Sequence, residues 1–109
     1  MINREQIISQ IVDAGIVAIV RVPRNEWALP LARALVAGGI RAVELTMSIP
    51  NALDAIRQID EELGGEILLG VGTVIDDDIC CAAIDAGAND CIFYEDHYEL
   101  LTNQDEIYD

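Results

Sequence analysis

Residues 38–56 read GGIRAVELTMSIPNALDAI, and three features of this stretch decide how the chain folds. A glycine pair opens it, and glycine is the residue that most easily ends a helix before the backbone turns into a strand. The segment Ala42–Thr46 that follows is mostly apolar, which is how a strand covered on both faces reads. Past Pro50 the period changes: Leu53, Ile56, Ile59 and Leu63 recur three or four residues apart and lay one apolar stripe along a helix. Glycine, strand, turn and helix make one unit.

The unit recurs on both sides. AG-IVAIV begins at Ala14, LGGE-ILLGV at Leu63 and AGAND-CIF at Ala86. The glycines at 15, 38, 64 and 87 are spaced by 23, 26 and 23 residues, a regular supersecondary period. Strands are predicted at Ile16–Arg21, Ala42–Thr46, Ile67–Thr73 and Cys91–Phe93, with a helix before the first. Trp27, Leu31 and Leu35 give the helix after the first strand its apolar stripe. Asn25 and Asn51 are candidate N-caps, and Asp76, Asp77 and Asp78 stand where a helix dipole favours negative charge. Pro30 lacks an amide to bond back, so that helix begins near it or kinks in its first turn. The class is therefore α/β, built of parallel (β/α) repeats.

Two architectures accommodate such a series: a small open sheet of flavodoxin type, and the first four units of a TIM (β/α)8 barrel, a half-barrel. The half-barrel leaves its inner strand face uncovered, and exposed apolar sheet drives association. Its expected partner is a second copy or a complementary half-barrel.

The 109 residues suit one domain, and 52% hydrophobic composition supplies a core. Residues 1–94 are expected to form that domain, with 95–109 an acidic tail that is marginal or disordered. Residues 1–74 sum to −3, whereas 75–109 hold eleven acids, no arginine and no lysine, a sum of −11. The total of −14 disfavours nucleic acid and anionic membrane as partners. The apolar run Ala14–Val20 is far short of the roughly 18 residues a membrane helix needs, and no signal peptide is evident. Three cysteines, two of them adjacent, fit a reducing compartment, so the expected location is cytoplasmic. Cys80, Cys81, Cys91 and His97 lack the paired spacing of a zinc site, and no metal or cofactor is expected.

A few polar residues interrupt the apolar strands. Strand alternation puts Glu44 and Thr46 on one face and Val43 and Leu45 on the other, toward the helices. Arg21 and Thr73 stand at the carboxyl ends of the first and third strands, where parallel α/β proteins build their sites. Arg21 and Glu44 form either a structural ion pair between neighbouring strands or part of a site. Thr73 is either an ordinary strand-end threonine or a ligand contact. Gly70 and Gly72 leave room for a ligand near the backbone but lack the spacing of a dinucleotide loop.

Taken in order, GIVAIVR (15–21), GGIRAVELTMSIPNALDAI (38–56), LLGVGTVID (68–76) and AAIDAGA (82–88) resemble the amino-terminal half of the bifunctional 2-keto-3-deoxy-6-phosphogluconate / 4-hydroxy-2-oxoglutarate (KDPG/KHG) aldolases. The resemblance runs from residue 5 to about 93, and GIRAVELT and GVGTV carry most of it. It implies a pyruvate-aldolase barrel, usually a homotrimer, that cleaves a 2-keto-3-deoxy sugar acid phosphate to pyruvate and glyceraldehyde 3-phosphate. It also implies that Glu44 is the general acid/base, that Arg21 lies near the pyruvate carboxylate and that Thr73 contacts substrate. Ser48 replaces an arginine that many members carry, and Phe93, Tyr94, Glu95 and Asp96 replace a Ser-Pro segment.

The family mechanism needs a lysine amine to form a Schiff base with the substrate ketone, so that the protonated imine accepts the electrons of the breaking bond. All six basic residues here are arginine, and there is no lysine. Proton transfer by Glu44 supplies about 10²–10⁴-fold and does not replace that electron sink. The expectation is a family polypeptide truncated after four strands and inactive alone; the alternative is a noncatalytic half-barrel that works by association with itself or with a lysine-bearing second half.

Overall fold

The computed structural model describes residues 3–94 and 98–102. Helix α1 (Arg4–Ala14) precedes three strand–helix units and a fourth strand: β1 (Val17–Val20), α2 (Ala28–Ala37), β2 (Ala42–Thr46), α3 (Ala52–Leu63), β3 (Leu68–Val74), α4 (Asp77–Ala86) and β4 (Asp90–Tyr94). A last strand, β5, covers Tyr98–Leu101.

Local chemistry explains most boundaries. Helix α1 starts in a capping box, with the Asn3 side chain accepting from the Gln6 amide at 2.9 Å and the Gln6 side chain accepting from the Asn3 amide at 2.8 Å. Asp76 caps α4 by accepting from the amides of Asp78 and Ile79 at 2.7 and 3.2 Å. Asn25 opens a short 3-10 turn (Asn25–Trp27) ahead of α2, and Pro30 sits in the first turn of α2, where no backward amide bond is required. Asn51 occupies the N-cap position of α3 in the left-handed region (φ 51°), and its side chain makes no capping bond. All four repeat glycines end helices, but only Gly15 (φ 78°) and Gly87 (φ 130°) use positive φ. Gly38 and Gly64 have φ of −85° and −58°, and after α2 the turn is taken by Gly39 at φ 98°.

The sheet order is β1-β2-β3-β4-β5, with the first four strands parallel and β5 antiparallel to β4. Strands laid down in sequential order with right-handed crossovers place every crossover helix on one face. A flavodoxin-type sheet reverses direction after its first strands and carries helices on both. The winding is therefore that of a (β/α) barrel. The tail expectation is revised at 98–101, which pairs with β4 so that Cys91 faces Leu101. Leu101 and Thr102 are buried, giving this acidic stretch a footing in the core that its charge concealed. The remaining tail residues, His97 included, lie outside the described residues.

Alternation divides the sheet as the sequence predicts. Val43, Leu45, Leu69, Val71 and Cys91 share the core with Ala32, Ile56, Ile59, Cys80 and Ala83 of the helices. Ala42, Glu44, Leu68 and Gly70 face the opposite, inner side together with Asp90 and Ile92. Helix α1 covers part of that side, with Ile7 fully buried and Ile11 facing the strands. Its coverage is incomplete: Ile19 of β1 is 65% exposed, and Val12 on α1 and Ile16 ahead of β1 are exposed as well.

Candidate functional site

Pairing register sets one row of residues across four strands: Ile19 opposite Glu44, Glu44 opposite Gly70, and Gly70 opposite Asp90. The row lies on the inner face, so two carboxyls flank a position with no side chain. A Cβ placed at Gly70 would lie 2.4 Å from Asp90 Oδ1, and one at Gly72 would lie 2.8 Å from Glu44 Oε2. Both glycines of GVGTV thus leave space that the chain's own acids fill, and the sequence alternative of room for a ligand at the backbone is taken up by Glu44 and Asp90.

Both carboxyls line a cavity of about 220 Å³ whose other walls are Ile11, Val17, Ile19, Leu68 and Ile92. Removing a carboxylate from water disfavours its charged form. Burial accordingly raises the pKa of half-buried Glu44 above the usual carboxylate range. Asp90 is only 4% exposed, and burial, with the nearby Glu44 carboxyl second, pushes it up to about 7. A larger cavity, about 630 Å³, lies at the amino ends of the strands between Gln10, Asp13, Arg41 and Glu66. The smaller cavity is lined by the first and third residues of β1, β2, β3 and β4, and within it Glu44 Oε2 leans over Gly72, toward the carboxyl ends where parallel α/β folds build their chemistry, so the cavity at Glu44 is the candidate site.

Arg21 follows the last residue of β1 and is exposed, and among the described residues no ion pair joins it to Glu44. The structural ion-pair alternative is thereby removed. Thr46, at the end of β2, is buried with its hydroxyl 2.9 Å from that of Ser48, and the Met47 amide donates to the Gly72 carbonyl at 3.0 Å. This ties the loop after β2 to the end of β3.

Thr73 adopts φ 60°, a left-handed conformation that is an outlier for a β-branched residue. Strict alternation would bury Thr73 beside Val71, yet the core takes Val71 and Val74. The register between β3 and β4 shifts in that interval, and the irregularity turns Thr73 out to solvent. Glu44 therefore occupies the inner face while Arg21 and Thr73 stand at the ends of β1 and β3, and among the described residues no ion pair joins Arg21 to Glu44.

Asp90 was not anticipated, because the predicted fourth strand began at Cys91. Counting back by two from Ile92 would have put Asp90 on Glu44's face. The three cysteines are free thiols, and Cys80 hydrogen-bonds Cys91, which together with burial raises the Cys91 pKa. Among the described residues no group of three or more His, Cys, Asp or Glu side chains is placed to hold a metal ion. Nor is any described helix long and apolar enough to cross a membrane.

The family of KDPG and KHG aldolases matches residues 7–95. The KHG/KDPG aldolase of Escherichia coli K12 is 41% identical over 73 residues, which is 67% of this chain and 34% of that protein. The 2-dehydro-3-deoxy-phosphogluconate aldolase of Dickeya dadantii is 40% identical over 80 residues, 72% of this chain and 37% of that one. The chain thus spans about a third of the length of these curated relatives. Among solved structures, the KDPG aldolase of Legionella pneumophila, with pyruvate captured as a covalent carbinolamine, superposes with a TM-score of 0.65. It is 36% identical and covers 71% of this chain and 37% of its own. The Zymomonas mobilis ZM4 aldolase, solved with 3-phosphoglycerate, gives a TM-score of 0.70 at 33% identity, over 80% of this chain and 41% of that one. With its sequential parallel strands and a family match across most of its length, this chain belongs to the KDPG and KHG aldolase family.

Proposed function

We propose that this chain carries the proton-transfer and keto-acid-binding part of a KDPG/KHG-type aldolase centre, and that the 109 residues alone do not cleave the aldol. Glu44 is the general acid/base, Arg21 faces the keto-acid carboxylate and Thr73 contacts substrate at the rim. The substrate is 2-keto-3-deoxy-6-phosphogluconate or a related keto acid, split to pyruvate and an aldehyde in the cytoplasm. The observation that supports this most is the half-buried Glu44 carboxyl, its pKa raised by burial, at the wall of an inner-face cavity. Raising a carboxyl's pKa brings it closer to the pH at which it must take and give the proton.

The missing step is the electron sink. The Legionella relative holds pyruvate as a carbinolamine, the adduct of an amine with a ketone. No lysine exists here to supply that amine. Incubation with pyruvate and borohydride, read by intact mass, is expected to leave the chain unchanged. A stable adduct would overturn the claim of inactivity.

The second reading is a noncatalytic half-barrel that works by association, favoured by the exposed apolar side chains of Ile19 on the inner face, Val12 on α1 and Ile16 between them in sequence. Light scattering and a hydrophobic dye test it. A monodisperse monomer that binds no dye argues against it.

A further inference from the structure

The row Ile19–Glu44–Gly70–Asp90 holds two carboxyls on one face with no side chain between them. The space above Gly70 is already occupied by Asp90 Oδ1, and that above Gly72 by Glu44 Oε2. We propose that Glu44 and Asp90 form one coupled carboxyl pair holding a single proton between them, with Asp90 as the positioning residue that fixes which carboxyl carries it. This rests on the reading of Glu44 as the acid/base group.

Three observations support the pair. Asp90 is 4% exposed and faces the cavity, so burial disfavours its charge. The rest of the cavity wall is apolar, which strengthens repulsion between two carboxylates placed there. Charge at Glu44 is also what raises Asp90 beyond the effect of burial.

The surroundings leave the pair as the local titrating unit. Strand β1 contributes only Val17 and Ile19 to the cavity, β3 only Leu68 and Gly70, and α1 only Ile11. Arg4 on α1 and Glu99 on β5 lie 3.6 Å apart as an ion pair. Cys91, next to Asp90, belongs to the opposite, helix-side core. Asp90 keeps its proton at pH values where an ordinary aspartate has lost it. A proton taken from a carbon acid by the Glu44 carboxylate leaves both carboxyls neutral until one proton departs.

The test is a ¹³C titration of side-chain carboxyls in the intact chain. Two coupled sites give resonances that each respond at both midpoints. In the wild-type chain, Glu44 Cδ and Asp90 Cγ are expected to inflect twice, with the later midpoint, mainly that of Asp90, near pH 7. In Glu44→Gln, Asp90 is expected to titrate once, about one pH unit lower, because the like charge has gone. Independent single inflections in the wild-type chain would overturn the proposal without any variant, as would an Asp90 midpoint unmoved by Glu44→Gln. The titration contains no keto acid, so its failure leaves the acid/base role of Glu44 standing, and trapping with pyruvate leaves the pair untouched.

Discussion

At Asp90 the effect of burial has a definite sign in stability. An acid whose pKa rises on folding binds its proton more tightly in the native state, so its destabilising effect is absent below about pH 4. It grows as pH rises toward 7 and is complete above it. On the scale of 1.36 kcal/mol per pH unit this is on the order of 4 kcal/mol. Asp90→Asn should therefore gain stability relative to the wild-type chain as pH is raised from 4 to 7.5. Urea melts at each pH check it, and a pH-independent difference would refute it. Thr73 invites a second residue-level test: Thr73→Gly should gain about 1 kcal/mol, since glycine holds φ 60° without steric conflict. Loss of stability would show that the Thr73 side chain makes up for its strain. Glu44 was legible because an acid amid apolar alternation stands out. Asp90 was missed by one residue of strand boundary, and the turn at Thr73 was hidden because a local backbone irregularity leaves no pattern in side-chain hydrophobicity.

Elements follow from short-range chemistry wherever a side chain meets a free backbone group. Asp76 is the clearest case: it satisfies two amides of α4, so Asp76→Ala should cost about 1 kcal/mol, read by thermal or urea unfolding. The stripe in α3 was readable because its buried residues, Ile56, Ile59 and Leu63 among them, recur at helical spacing. The negative φ at Gly38 and Gly64 was not, and after α2 the left-handed turn falls to Gly39 instead. For β3, Gly70→Ala puts a methyl into the volume of the Asp90 carboxyl and should cost about 1–3 kcal/mol, as overpacking commonly does. Unchanged stability would mean that Asp90 swings aside freely.

For the molecule as a whole, the contest is between the open inner face and the charge of −14. Apolar surface favours contact between copies, while like charge opposes it over a Debye length of roughly 10 Å at 0.1 M salt and about 3 Å at 1 M. Average mass by light scattering should therefore rise with salt, and Ile19→Lys should reduce both the rise and dye binding. A mass independent of salt would remove the face as a contact surface. The sequential winding was legible in the glycine period, but β5 was not, because four residues in an acidic stretch look like solvent-loving chain until β4 lies beside them. That hairpin has a geometric corollary. Tyr98–Leu101 takes the outer edge of β4 in the reverse direction, so a parallel strand cannot zip on there until it is peeled away. Among the described residues, growth of this sheet by addition runs along the rail of β1 or along the far side of β5.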